Sequence, residues 1–190
     1  MPFDKRYYDR FYGARRKWEQ ETALLGDFVC SYLRYMKLPV RRVLDIGCGL
    51  GMLRATVARH FPRARYHGVE VSRYLCDRFG WSYGSVIDFR SRTPYDLVFC
   101  KDVLQYLNSR EAAEALDNLA SLCRGALYVS VLTAEDWEEN CDFSRTDPDV
   151  YKRKASWYRL KLREHFINLG GGVFLHRDAP VVAWELEALR

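Results

Sequence analysis

The sequence predicts an α/β fold, a mostly parallel sheet in one domain with helices on both faces. Three observations predict it. Short apolar runs such as YDLVFC at 95–100 are continuous rather than alternating, as strands buried on both faces require. Stripes of helical period separate these runs. Around them stands Arg42 to Met52, RVLDIGCGLGM, where the run Val43, Leu44, Ile46 passes directly into glycines at 47, 49 and 51. Strand, tight turn, helix is the arrangement in which backbone N–H groups face a ligand across the carboxyl edge of a parallel sheet.

Size and composition narrow the classes. A chain of 190 residues fits one domain with a sizeable core. Its 48% hydrophobic and 29% charged residues argue against extensive disorder. No apolar run is long enough to cross a bilayer, and the leading residues lack a secretory signal, so a cytoplasmic protein is expected. Cysteines at 30, 48, 76, 100, 123 and 141 form no Cys-x-x-Cys pair, and the histidines at 60, 67, 165 and 176 form no ligand-spaced cluster. Neither a disulfide framework nor a metal site is expected. Of the net charge of +5, all resides in residues 1–42, with ten Lys/Arg against five Asp/Glu. That basic leader suits either a solvated surface or a contact with an anionic partner; no nucleic-acid motif accompanies it, so nucleic acid is not favoured.

In chain order, residues 3–18 combine Tyr7, Tyr8 and Tyr12 with Arg15, Arg16 and Trp18. Two readings stand: a lid or pocket wall, or an amphipathic helix docking its rings on the domain. From Thr22 the stripe Leu25, Phe28, Val29, Tyr32 and Met36 predicts a helix ending by Pro39. A division into a leader, 1–38, and a main domain, 39–190, follows. After the glycine turn Leu53, Val57 and Phe61 predict a helix stopped near Pro62, and Arg65 to Val71 a second strand closing on Glu70. An acid there can accept hydrogen bonds from ribose hydroxyls. Ser72 caps a helix over about 73–80; GSVIDF, 84–89, follows, with Asp88 able to cap its turn. Asp96 reads as structural. Asn108 and Glu111 have the spacing of a capping box before the stripe Ala112, Ala115, Leu119 and Leu122. Ala126 to Leu132 is the fifth strand, Thr133 to Asn140 an acidic loop with Trp137, and 151–166 a helix. Gly170-Gly171-Gly172 is expected to end that helix, with closing strands at about 173–176 and 181–187.

Aspartate followed by G-x-G-x-G, with an acid 25 positions later, resembles motif I and its register partner in the Rossmann-like, class I S-adenosylmethionine-dependent methyltransferases. The segment Lys101 to Leu107, KDVLQYL, resembles motif IV, with Tyr106 where histidine is frequent. The resemblance covers about residues 40–187. It implies a seven-stranded sheet in the order 3-2-1-4-5-7-6 and S-adenosyl-L-methionine as cofactor. It implies cofactor contacts from Asp45, Gly47, Cys48, Gly49 and Gly51, from Glu70 and Val71 at the ribose, and from Ser85 and Val86 at the adenine edge. Lys101 belongs to that set, and Arg16 is a candidate for the cofactor carboxylate. Lys101, Gln105 and Tyr106 are the expected catalytic residues, orienting or polarising the acceptor. Loss of histidine at 106 removes the side chain best suited to proton abstraction. The implied activity is methyl transfer to a small-molecule acceptor by in-line displacement. An RNA or protein methyltransferase, or a non-catalytic cofactor-binding partner subunit, are the alternatives. The sequence does not specify the oligomeric state.

Overall fold

The computed structural model describes residues 3–11, 15–143 and 146–189. Its strands are β1 Arg42–Ile46, β2 Arg65–Glu70, β3 Ser82–Tyr83, β4 Tyr95–Lys101, β5 Cys123–Ser130, β6 Phe166–Gly170 and β7 Val173–His176. They form one sheet in the order β3-β2-β1-β4-β5-β7-β6. Pairs from β3 through β5 are parallel, and β7 runs antiparallel to both β5 and β6. This is the sheet order expected.

The helices are α1 Lys5–Phe11, α2 Arg15–Tyr35, α3 Leu53–His60, α4 Arg73–Phe79, α5 Ser109–Leu122, α6 Ala134–Glu139 and α7 Ala155–Leu162. Neighbouring strand residues feed opposite cores. Leu44, Val98 and Leu127 pack with Leu116 and Leu119 of α5 and Tyr158 of α7. Val43, Leu97 and Phe99 pack with Val29 and Leu33 of α2 and Val57 of α3. Burial on both faces explains why the strand runs are uninterrupted. No helix among the described residues is long and apolar enough to cross a membrane.

Local chemistry sets the boundaries. Asn108 accepts from the Glu111 N–H at 3.0 Å while Glu111 accepts from the Asn108 N–H at 2.9 Å, the capping box that starts α5. Asp96 is structural as expected: one carboxylate oxygen accepts the Arg41 and Arg42 amides at 2.8 and 2.9 Å, the other the Arg124 guanidinium at 2.8 Å.

Several expectations are corrected. The helix expected over 151–166 is the shorter α7, because β6 begins at Phe166. The glycines at 170–172 therefore end a strand and turn the β6–β7 hairpin; they do not terminate a helix. Residues 181–187 form no strand. The sheet order survives because one antiparallel pair replaces another, displaced toward the N-terminus. The acidic stretch after β5 is helix α6, capped by Thr133 and Asp136, rather than a loop.

Candidate active site

The carboxyl ends of β1, β2 and β4 meet where strand order reverses, which is where open α/β sheets bind ligands. Gly47 and Cys48 donate to the Val69 C=O at 2.8 and 3.1 Å, folding the turn back against β2. Gly47 has φ +75°, and a Cβ there would lie 2.2 Å from Val103 Cγ2. Only glycine fits. At Gly49 the outlook is different: a Cβ would meet nothing within 4 Å, so this point of the turn faces open space.

Glu70 closes the site from the β2 side and is buried. Its Oε2 accepts the Gly49 N–H at 2.8 Å, and its Oε1 accepts those of Val71 and Ser72 at 2.9 and 3.0 Å. One carboxylate thus organises both loops of the cleft. Trp81, which sequence reasoning passed over, donates from its indole to the Gly49 C=O at 3.0 Å and lies against Gly51 and Gly68. Its position just after a helix end gave no pattern to single it out.

Beneath the turn, Asp45 is buried and accepts from the Tyr66 hydroxyl. Burial pushes its carboxyl up to about 7, against the hydrogen bond from Tyr66, which holds it down. Burial also raises the Cys48 thiol, leaving it protonated and unreactive. A small pocket of about 60 Å³ joins Asp45 to Gly47, Gly49, Lys101 and Asp102, with Trp18 and Thr22 of α2 on its far wall.

The main cavity, about 200 Å³, adjoins it. Gly47, Gly49, Glu70, Val71, Ser85 and Val86 form one side. Lys101, Asp102, Val103 and Tyr106 form the other, and Phe3, Tyr7 and Tyr8 of the leader roof it. The roof is fastened by the Ser72 hydroxyl, which donates to the Phe3 C=O at 2.6 Å, and by Tyr7 and Tyr106, whose hydroxyls lie 2.8 Å apart. Burial raises the Tyr7 phenol, so it stays protonated near neutrality.

Lys101 donates to the Asp102 carboxylate, which also accepts from the Ser130 hydroxyl at 2.6 Å. Asp102 has φ +56°, a left-handed conformation in a non-glycine residue. Strain of this kind gathers at functional sites. Asp102 lines both the cavity and the Asp45 pocket.

Of the expected residues, the structure brings together Asp45, Gly47, Gly49, Glu70, Val71, Ser85, Val86, Lys101 and Tyr106 around these two pockets. Cys48 lines the smaller one. Gly51 instead serves packing against Trp81. The Ser85 amide is taken by Asp88, which closes the turn at 3.0 Å. Gln105 lies apart from them: its side chain is buried and lines neither pocket, while its C=O accepts the Tyr151 N–H at 2.8 Å. Tyr12 and the Arg16 side chain lie outside the described residues. Tyr7, Tyr8 and Tyr106 converge on the cavity. Trp137 packs instead on Phe143, with Lys152 over its ring, and Trp157 packs on Tyr158.

Arg153 is a further residue the sequence concealed within a basic stretch. Buried, it donates to the Leu104 and Leu107 carbonyls at 2.6 and 2.8 Å and to the Tyr158 hydroxyl at 2.9 Å. It braces the single 3-10 turn, Leu104–Tyr106, that carries Tyr106 to the cavity.

Comparison with known proteins agrees with this geometry. Residues 44–125 match the family described as a methyltransferase domain. A malonyl-[acyl-carrier protein] O-methyltransferase of Magnetococcus marinus is 30% identical over 156 residues, covering 70% of this chain and 57% of the relative. A trans-aconitate 2-methyltransferase of Pseudomonas paraeruginosa is 27% identical over 128 residues, covering 64% and 40%. The chain thus spans between 40% and 57% of the length of the curated relatives it matches. Among solved structures, the plantazolicin methyltransferase BpumL superposes with a TM-score of 0.63 at 18% identity, covering 84% of this chain and 68% of that one. Magnesium protoporphyrin IX methyltransferase from Synechocystis PCC 6803 gives 0.60 at 20% identity, covering 89% of each chain. By sheet order and glycine turn the chain has the Rossmann-like fold of these S-adenosylmethionine-dependent methyltransferases, and its residues 44–125 match a methyltransferase domain.

Proposed function

We propose that this chain transfers the methyl group of S-adenosyl-L-methionine to a small-molecule acceptor by in-line displacement, with residues 39–190 as the methyltransferase domain and 1–38 as a helical leader whose first residues form the lid. One observation carries the reading: two adjoining pockets share the walls Gly47, Gly49, Lys101 and Asp102, one ending on buried Asp45 and the other on Glu70. That layout suits an amino-acid end and a ribosyl end of one ligand. The residues fit the cofactor, because the turn is open at Gly49 and Glu70 stands where ribose hydroxyls are received.

When bound, the sulfonium supplies a methyl carbon already activated by its leaving group. The chain's own work is alignment and exclusion of water. Asp45 and the glycine turn receive the amino-acid end, Glu70 and Val71 the ribose, and Ser85 and Val86 the base. Phe3, Tyr7 and Tyr8 shut out solvent. Tyr106 and Tyr7 present hydroxyl groups to the acceptor, and Lys101 supplies positive charge; Gln105 drops out of this set. Two relatives are named for trans-aconitate and for a malonyl group, so small acids are the first acceptors to screen. We place the chain in the cytoplasm, a reading supported by six free cysteines, five of them buried.

Titration calorimetry with S-adenosylhomocysteine tests the site, and mass spectrometry of an acceptor panel tests the transfer. Weakened binding in Glu70→Ala and a product heavier by one methyl group are expected. No heat with the unaltered chain would refute the cofactor assignment, and binding without any methylated product would refute the enzyme.

A further inference from the structure

An open groove of about 1150 Å³ lies between α7, the β6–β7 hairpin and residues 188–189. Lys154, Arg159, Arg163 and Arg177 line it, with Arg153 buried behind, and no aspartate or glutamate lines it among the described residues. Arg177 Nη2 donates to the Arg163 C=O at 2.8 Å, which holds that guanidinium at the rim. The floor is apolar, built from Trp157, Leu160, Ile167 and Phe174. A cationic rim over an apolar floor is complementary to an acidic segment that alternates with apolar side chains.

The chain contains such a segment. Residues 181–187 read VVAWELE. Val182, Trp184 and Leu186 are 82%, 75% and 101% exposed, and Glu185 and Glu187 alternate with them. The period of two is that of a strand; here residues 184–188 make a turn instead, the Glu187 and Ala188 N–H groups donating to the Trp184 C=O at 2.9 and 3.1 Å, and docking extends that turn. Just beyond it, the Leu189 N–H donates to the Asn168 C=O at 2.7 Å in an antiparallel bridge, so the segment is delivered to the outer edge of β6. An edge strand with apolar residues standing in water beside it invites pairing with another chain.

We propose that this groove is the docking site for residues 181–187 of a second copy of this chain. Trp184 and Leu186 lie on its floor and Glu185 and Glu187 face its basic rim. The exchange is reciprocal, so it closes at a two-fold dimer. Aliphatic Leu160 and Ile167 on the floor favour peptide side chains over stacked bases. The proposal is independent of the cofactor reading.

Sedimentation velocity of the full chain over a range of concentrations and salt tests it. A dimer that weakens with added salt is expected. The variant Trp184→Ala/Leu186→Ala should raise its dissociation constant roughly 30-fold or more, the size of an interface anchor. Arg159→Glu/Arg163→Glu should do the same, with far-UV circular dichroism confirming an unchanged fold in both. A monomer at every concentration in low salt overturns the proposal, as does a dimer indifferent to both variants. A monomer that shifts labelled single-stranded RNA, and loses the shift in Arg159→Glu/Arg163→Glu, overturns it in favour of nucleic acid.

Discussion

Gly47→Ala isolates the constraint on which the cofactor turn rests. The left-handed φ of +75° disfavours any side chain by about 1–2 kcal/mol. The new Cβ would also stand 2.2 Å from Val103 Cγ2, and overpacking of that kind costs about 1–3 kcal/mol. The expected destabilisation is therefore about 2–5 kcal/mol, read from the midpoint of urea unfolding at constant slope. Val103→Ala removes the obstructing methyl but leaves φ untouched. The double variant should recover the overpacking share and retain the backbone share, a positive coupling in a double-mutant cycle. Affinity for S-adenosylhomocysteine should fall in Gly47→Ala and return only in part in the double variant. Destabilisation below about 1 kcal/mol, or no recovery in the double variant, would refute the reasoning.

Glu70→Ala strands the amides of Gly49, Val71 and Ser72, so it should lower stability as well as affinity, by about 1–3 kcal/mol for an unsatisfied buried group; thermal melting without ligand checks this. Asp45 has a folded pKa of about 7 against an ordinary 3.8, so the native state holds its proton longer than the unfolded chain does. Its contribution to stability is complete below about 3.8 and is lost as pH rises to about 7; Asp45→Asn should flatten that part of a stability profile against pH. Tyr7→Phe and Tyr106→Phe each remove one side of the hydroxyl pair; each should cost about 1 kcal/mol, and the double variant no more than about 1 kcal/mol beyond either, measured by denaturant unfolding. Arg153→Met leaves the Leu104 and Leu107 carbonyls without their guanidinium donors and should cost about 3 kcal/mol or more, seen as a lowered midpoint.

The sequence carried the parts of this fold that local chemistry decides. Strands β1 and β4, the glycine turn, the Ser72 cap and the Asn108–Glu111 box were all legible, because each is written in adjacent residues. The closing hairpin was misplaced because Gly170–Gly172 fit a helix end as well as a strand turn. Residues 181–187 also have a strand's alternation without a partner strand in the same chain. In the candidate site, Asp45, Glu70 and Lys101 line the pockets, and the resemblance to the methyltransferase motifs had singled them out. The sequence did not single out Trp81 and Arg153, since their roles depend on backbone groups 32 and 46–49 residues away. Gln105 was drawn in by its place after β4, but in a 3-10 turn neighbouring side chains point in different directions, and Tyr106 takes the cavity side.

The roof over the cavity belongs to a different part of the chain from its floor. Phe3 is held by the Ser72 hydroxyl and Tyr7 meets Tyr106, and bonds of this neutral kind are worth about 1 kcal/mol each. Opening the roof exchanges them for bonds to water, at little thermodynamic penalty. If the cavity takes the proposed donor, the leading helix is the part of the chain that would lift to admit and release it.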